Sequence, residues 1–224
     1  MRCAMNIYNS VVVITSAGSH LGQTLAQHFL SLHANVILVD DNEAALNRTL
    51  QQCQPTSSAL LTYLLDDHSF ESVQPLFSSI NKHFDQGIDV LINLYPSLPA
   101  PSLMDETNFD HYSGQMSSLA STMLCFSKLA AKQMQHNQKK GVIVNLSSQD
   151  AENSSDHNSA SLISNFTQSW SKELQPFNIR VGGILPPPPH GRTNNWARNR
   201  DELIRNTEYI VENDSFNGRV LDCH

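Results

Sequence analysis

The sequence predicts an α/β fold in which helices cover both faces of a parallel sheet. Short apolar runs alternate with amphipathic segments along the whole 224-residue chain. The apolar runs are continuous, as expected for strands that are buried on both faces. A chain of this length, with 40% hydrophobic residues, is long enough to bury a sizeable core. We therefore expect residues 1–224 to form one three-layer domain with a doubly wound sheet and right-handed crossovers.

The first half of the chain contains four predicted strands, each followed by a predicted helix. The strands are Val11–Thr15, Val36–Val39, Ala59–Leu65 and Val90–Leu94, and the helices are Leu21–Leu32, Glu43–Gln52, Phe70–Phe84 and Phe109–Gln135. Asn42 precedes the second helix and is a plausible N-cap. Pro75 lies inside the third helix and lacks the N–H that a helix interior uses, which puts the boundary of that helix in question.

The second half continues the alternation with three strands and two helices. The strands are Gly141–Ser147, Ile179–Leu185 and Arg219–Leu221, and the helices are Leu162–Leu174 and Asp201–Val211. Four consecutive prolines, Pro186–Pro189, favour an extended loop after the sixth strand. The chain shows no internal repeat and no linker that would divide it.

Composition excludes several classes of function. The net charge of −7 offers no basic surface for nucleic acid or for an anionic membrane. The apolar runs fall short of the roughly 18 residues that a membrane span needs. Neither the four cysteines nor the ten histidines have metal-ligand spacing, so we predict no metal site. Reduced thiols of this kind are typical of a cytoplasmic protein.

The segment Thr15–Gly22, which follows the first strand, is the most informative motif. It reads Thr-Ser-Ala-Gly-Ser-His-Leu-Gly and leads into a helix. A strand that feeds a glycine-rich turn and then a helix directs backbone N–H groups at a pyrophosphate. The order of elements therefore indicates a dinucleotide turn.

Five segments in order resemble the short-chain dehydrogenase/reductase family, over nearly the whole chain. Thr15–Gly22 stands where the family has Thr-Gly-x-x-x-Gly-x-Gly, and Asn93–Pro96 stands where it has Asn-Asn-Ala-Gly. Val142–Ser148 matches the strand that delivers the active-site serine. Ile179–Pro186 matches the Arg-Val…Pro-Gly segment, and Asn217–Leu221 matches the C-terminal Gly-x-x-Leu. The resemblance implies a Rossmann-like fold and oxidoreductase chemistry on an alcohol or carbonyl with a nicotinamide dinucleotide.

The resemblance also assigns residues that would bind the dinucleotide: Thr15, Ser16, Ser19, His20, Leu21, Gly22, Asp40, Asp66 and Asn93. Asp40 would accept hydrogen bonds from the adenosine ribose diol, and Asp66 would face the adenine amino group. Asp40 and Asp41 would repel a 2′-phosphate, so NAD(H) is favoured over NADP(H). The alternative is that Asp40 and Asp66 serve only as turn residues at strand ends.

Several departures from the family pattern weaken the predicted cofactor site. Ser16 and His20 replace two of the three glycines of the turn. Gly22, the glycine that lets the helix pack closely against the strand, is kept. Tyr95 and Pro96 replace small residues and are expected to fill space that the nicotinamide ribose needs. NAD(H) binding is therefore expected to be weak or absent.

The catalytic positions depart further. The family uses a tyrosine whose pKa is lowered by a lysine four residues later, a serine, and an asparagine on the long helix. Ser148 is retained, whereas aligning the chain with the family pattern places Asp156 and Ala160 at the tyrosine and lysine positions. The asparagine position falls near Met116. His157, His111 or Tyr112 are alternative acid/base residues, although such residues in polar segments are usually part of the solvated surface.

These observations leave three hypotheses about function. The leading one is a catalytically inactive family member with a binding or regulatory role. The second is an NAD(H)-dependent oxidoreductase with atypical catalytic residues, and the third is a sensor that binds a nucleotide without chemistry. Helices Phe109–Gln135 and Leu162–Leu174 correspond to the family's usual dimer interface, so we also expect a homodimer or homotetramer. A small-molecule ligand is expected, and its class is left open by the residues.

Overall fold

The fold is a seven-stranded parallel sheet covered by helices on both faces, as predicted. The computed structural model describes residues 5–53, 59–96, 109–148, 158–186 and 196–223. The strands are β1 Val11–Ile14, β2 Asn35–Asp40, β3 Leu60–Leu64, β4 Val90–Pro96, β5 Gly141–Ser148, β6 Ile179–Leu185 and β7 Val220–Asp222. The helices are α1 His20–Ser31, α2 Glu43–Gln52, α3 Phe70–His83, α4 Phe109–His136, α5 Asn158–Leu174 and α6 Trp196–Glu212.

The strand order is β3-β2-β1-β4-β5-β6-β7, and all six pairings are parallel. The chain runs outward from β1 to β3 and then returns to place β4 on the other side of β1. The helices that follow β1 and β4, α1 and α4, therefore lie on opposite faces of the sheet. In open α/β sheets this switch point, at the carboxyl ends of the strands, is where ligands bind.

Two apolar layers hold the helices to the sheet. One layer packs α1, α2 and α6 against one face, and the other packs α3, α4 and α5 against the opposite face. Consecutive strand residues such as Val12, Val13 and Ile14 are fully buried, because their alternating side chains enter both layers. This explains why the strands lack polar alternation.

Two helices begin earlier than the apolar periodicity predicts. α5 begins at Asn158 rather than Leu162, and α6 begins at Trp196 rather than Asp201. The added turns are mostly polar, so they carry no hydrophobic period. Pro75 does not interrupt α3, which continues from Phe70 to His83. The predicted N-cap of α2 is confirmed, since Asn42 Oδ1 accepts a hydrogen bond from Ala45 N at 3.0 Å.

Arg180 on β6 holds the end of α6 in place. Its guanidinium donates to the carbonyl oxygens of Ile210 at 2.7 Å, Val211 at 2.7 Å and Phe216 at 3.1 Å. The last carbonyls of a helix lack intrahelical donors, and a cation there also interacts favourably with the helix dipole. The predicted Arg-Val segment is therefore a structural tie between the sheet and α6.

Candidate functional site

The turn between β1 and α1 keeps a glycine-like bend although serine stands at its first glycine position. Ser16 has φ of +48°, in the left-handed region that glycine adopts without strain. Ser16 O accepts a hydrogen bond from Ser19 N at 3.1 Å, which closes the bend. The turn therefore bends sharply, with a strained residue at its start.

Gly22 allows α1 to pack directly on this turn. A Cβ on Gly22 would lie 2.6 Å from Ser16 O and 2.8 Å from Ala17 Cα. Ser19 caps the helix, since its Oγ accepts a hydrogen bond from Gly22 N at 3.0 Å. The first N–H groups of a helix have no intrahelical acceptor, so the start of α1 is suited to an anion. The His20 side chain is exposed at this end, whereas Leu21 is fully buried in the core.

Asp40, the predicted ribose acceptor, is hydrogen-bonded to the protein's own backbone. Its Oδ2 accepts from Gly18 N at 2.8 Å, and its Oδ1 accepts from Asn42 N at 2.9 Å. Asp40 is only 8% exposed. A Cβ on Gly18 would lie 3.0 Å from Asp40 Oδ2 and 2.5 Å from Ala45 Cβ. The turn therefore packs closely on β2 and α2.

The other acidic residues at this edge are more exposed. Asp66 lies two residues beyond the end of β3 and is exposed, and Asp41 lies 3.9 Å from His68 Nε2. Asp67 takes part in a cap at the start of α3. Hydrogen bonds from Ser69 and Ser72 lower the pKa of the Asp67 carboxyl to about 2. The Asp67 carboxylate is thus used within its own turn.

Two of the predicted site residues connect strands within the core. The Thr15 hydroxyl donates to Leu94 O at 3.3 Å and accepts from Leu94 N at 2.9 Å, which joins β1 to β4. Asn93 is fully buried, and its Nδ2 donates to Ser127 Oγ at 2.8 Å and to Asn145 Oδ1 at 3.1 Å. Both side chains therefore stabilise the strands that carry the site.

The buried amides form a chain that sequence reasoning missed. Asn145 Nδ2 donates to Thr167 Oγ1 at 3.2 Å, which extends the network from α4 through β4 and β5 to α5. The isolated polar Asn145 in an otherwise apolar strand was the signal that could have revealed it. Within the described residues, Asn93 Oδ1 has no hydrogen-bond partner.

The Tyr95 side chain, which is expected to fill space near the nicotinamide ribose, is buried among apolar side chains. It is 3% exposed and packs in an apolar cluster between α4 and α5. We call this the relay-site cluster, because it includes Met116, near the position where the family has the asparagine of its proton relay. The cluster comprises Tyr95, Leu119, Met123 and Ile163, with Met116, Leu162, Phe166, Trp170 and Leu185 packed against them. Burial, and to a smaller extent nearby Cys125, raises the pKa of the Tyr95 phenol well above its ordinary value. The phenol is therefore neutral at physiological pH.

The structure places some of the predicted catalytic positions at the carboxyl edge of the sheet. Ser148 ends β5 and pairs with Pro96, the last residue of β4. Ala160 lies in the first turn of α5, and Met116 lies on α4. His111 and Tyr112 are in the first turn of α4, while Asp156 and His157 fall outside the described residues.

Comparison with known proteins assigns the chain to a family. A profile of the short chain dehydrogenase family matches residues 10–202, so the chain belongs to that family. It is 27% identical over 199 residues to sorbitol-6-phosphate 2-dehydrogenase of Klebsiella pneumoniae, covering 83% of this chain and 71% of that protein.

Solved structures share the fold. NAD⁺-bound xylitol dehydrogenase superposes with a TM-score of 0.80 at 20% identity, covering 96% of this chain and 98% of that one. The 3-ketoacyl-(acyl-carrier-protein) reductase from Brucella melitensis, complexed with NADH, gives a TM-score of 0.79 at 18% identity, covering 96% and 97%.

In the described ranges, no helix combines the length and apolar character that a membrane crossing requires. The same residues contain no group of three or more histidine, cysteine, aspartate or glutamate side chains arranged to hold a metal ion.

Proposed function

We propose that this short-chain dehydrogenase family member has a binding or regulatory role and does not carry out ordinary hydride transfer. The relay-site cluster is the observation that supports this proposal. Met116, near the aligned asparagine position, packs against this apolar cluster, which also contains Ile163, three residues after Ala160. A phenol acts as a general acid/base near neutral pH only beside a cation that lowers its pKa. The aligned Asp156 and Ala160 supply neither group.

The turn fits a dinucleotide in part. The residues that would hold it are the turn from Ser16 to Gly22, Asp40 and Asp66, and a bound nicotinamide would supply the hydride donor or acceptor. The bend and the start of α1 suit a pyrophosphate, but both Asp40 oxygens already accept backbone N–H groups. A ribose diol would have to share those oxygens. We therefore propose that NAD(H) binds weakly or not at all, and that Asp40 and Asp41 disfavour NADP(H).

Calorimetric titration of the purified chain with NADH and NADPH, up to millimolar concentration, tests the cofactor proposal. Turnover is then measured with a panel of alcohols and carbonyl compounds. We expect weak or undetectable heat with NADH, less with NADPH, and no turnover. NAD-dependent turnover that the Ser148→Ala variant abolishes would refute the proposed inactivity.

A second candidate function is an NAD(H)-dependent oxidoreductase with atypical catalytic residues. It is supported by Ser148, which ends β5 beside the end of β4, and by His111 and Tyr112 in the first turn of α4. This candidate requires turnover that falls in His111→Gln or Tyr112→Phe. Binding without turnover would instead favour a nucleotide sensor.

We further propose that the chain associates with a second copy through α4 and α5. A groove of about 490 Å³ runs along their outer faces, and it is bordered by Leu124 and Phe177, which are 49% and 41% exposed. Lys128 and Lys132 come from α4 and Glu173 comes from α5, so a twofold partner whose α5 lies against α4 would pair opposite charges. Light scattering should show a dimer that Leu124→Asp converts to monomer. A monomeric wild-type chain would contradict this proposal.

A further inference from the structure

We infer that Thr49 and Asp40 form a clasp that holds the β1–α1 turn in its phosphate-binding shape without any ligand. Both residues act on the turn from the β2–α2 side of the fold. Thr49 belongs to α2, and Asp40 is the last residue of β2. The inference deepens the proposed dinucleotide site and rests on that proposal only for its ligand-binding consequence.

The Thr49 hydroxyl satisfies a buried carbonyl of the turn. Thr49 Oγ1 donates to Ala17 O at 2.9 Å, and Thr49 and Ala17 are 1% and 0% exposed. Water therefore cannot easily replace this donor. On its other side, Ala17 N donates to Val39 O at 3.1 Å. Ala17 is thus bonded to β2 through its N–H and to α2 through its carbonyl.

The Asp40 carboxylate connects three segments at once. It accepts from Gly18 N in the turn and from Asn42 N at the start of α2, while its own backbone ends β2. Charged acceptors make stronger hydrogen bonds than neutral ones. Three consecutive polar groups of the turn, Ala17 N–H, Ala17 C=O and Gly18 N–H, are therefore bonded to elements outside it.

This arrangement explains how Ser16 keeps a conformation that favours glycine. A residue in a strained backbone region persists only where its surroundings determine its geometry. The clasp fixes the two residues that follow Ser16, and Gly22 fixes the position of α1 against it. Thr49 and Asp40 are therefore positioning residues, which make the turn's shape independent of a bound phosphate.

The clasp also changes what a substitution at Asp40 would do. Asp40→Asn exchanges one acceptor oxygen for an NH₂ group that would face a backbone N–H. It would therefore loosen the turn as well as remove charge. Replacing Asp40 to admit a 2′-phosphate is expected to weaken dinucleotide binding in general, rather than to exchange NAD(H) for NADP(H).

Amide hydrogen exchange of the ligand-free full chain tests the clasp. The key variant is Thr49→Val, which keeps the shape of the side chain and leaves Ala17 O without its donor. We expect the amides of Gly18 and Ser19 to exchange about tenfold faster in Thr49→Val than in wild type. Thr49→Ser keeps the hydroxyl and should restore most of the protection of these amides. That result would show that the faster exchange in Thr49→Val does not come from a general folding defect.

Thr207→Val is the matched control. Thr207 is also fully buried, but its hydroxyl donates to Leu203 O within α6 at 2.7 Å. The Thr207→Val variant should leave amide exchange in the β1–α1 turn unchanged. The clasp is refuted if the amides of Gly18 and Ser19 are unprotected in the wild type. It is also refuted if these amides exchange no faster in Thr49→Val than in Thr207→Val. Since exchange is measured without ligand, a failure to bind NADH would count only against the proposed cofactor.

Discussion

Replacing Gly22 by alanine measures how closely α1 packs on the turn. The new Cβ would lie 2.6 Å from Ser16 O and 2.8 Å from Ala17 Cα. Both are backbone atoms, so no side-chain rotation can relieve the contact. The helix or the turn must move by several tenths of an ångström, which in a packed core costs about 1–3 kcal/mol. The better helix propensity of alanine offsets less than about 1 kcal/mol of that cost.

Gly114 provides a control with the opposite expected sign. It lies within α4, and a Cβ added there would meet nothing within 4 Å among the described residues. Gly114→Ala should therefore stabilise the protein by about 0.5–1 kcal/mol through helix propensity alone.

Urea unfolding of both variants and the wild type, followed by circular dichroism, gives the free energies of unfolding. We expect Gly22→Ala to be less stable than the wild type by about 1–2 kcal/mol after the offset, and Gly114→Ala to be more stable. A Gly22→Ala variant that is as stable as Gly114→Ala would show that α1 does not contact the turn as described.

Three further predictions concern other parts of the structure. Arg180→Met leaves the carbonyls at the end of α6 without their charged donor and should lower the free energy of unfolding by about 2 kcal/mol, measured by urea unfolding; an unchanged midpoint would contradict this tie. The Asp67 carboxyl has a pKa of about 2 in the folded protein against 3.8 normally, so its contribution is complete above pH 3.8 and disappears as the pH falls through 2. Acid titration should show a smaller loss of stability over that range in Asp67→Asn than in the wild type, and equal losses would refute it. Burial raises the pKa of the Cys223 thiol to about 11, so iodoacetamide at pH 8 should leave Cys223 unmodified in the folded protein and alkylate it in urea; rapid labelling of Cys223 in the native chain would show otherwise.

The local sequence pattern predicted whether each segment is a strand or a helix, but it did not always predict where the segment begins. Continuous apolar runs such as Val11–Ile14 predict strands because both faces of the sheet are covered. The residues added at the starts of α5 and α6 are mostly polar and show no hydrophobic period, so the sequence predicts these starts four and five residues late.

The candidate site was predictable where a motif dictates backbone shape. Gly22 was predicted to allow close packing, and the backbone around it leaves no room for a side chain. The direction of Tyr95 was not predictable, because a residue at a strand end can face either helix layer. The packing of α4 and α5 around it decides that direction, and it places the ring in the relay-site cluster.

By itself the sequence determined the order of strands and helices, the position of the β1–α1 turn and the family pattern that these segments resemble. These features depend on residues close together in the chain, where hydrophobic period and glycine placement act directly. Only the tertiary structure decided that Asp40 and Thr49 hold the turn and that Asn93 joins Asn145 in the core. Those contacts join residues that are between 22 and 52 positions apart, and no local pattern specifies which partner a buried polar group will find.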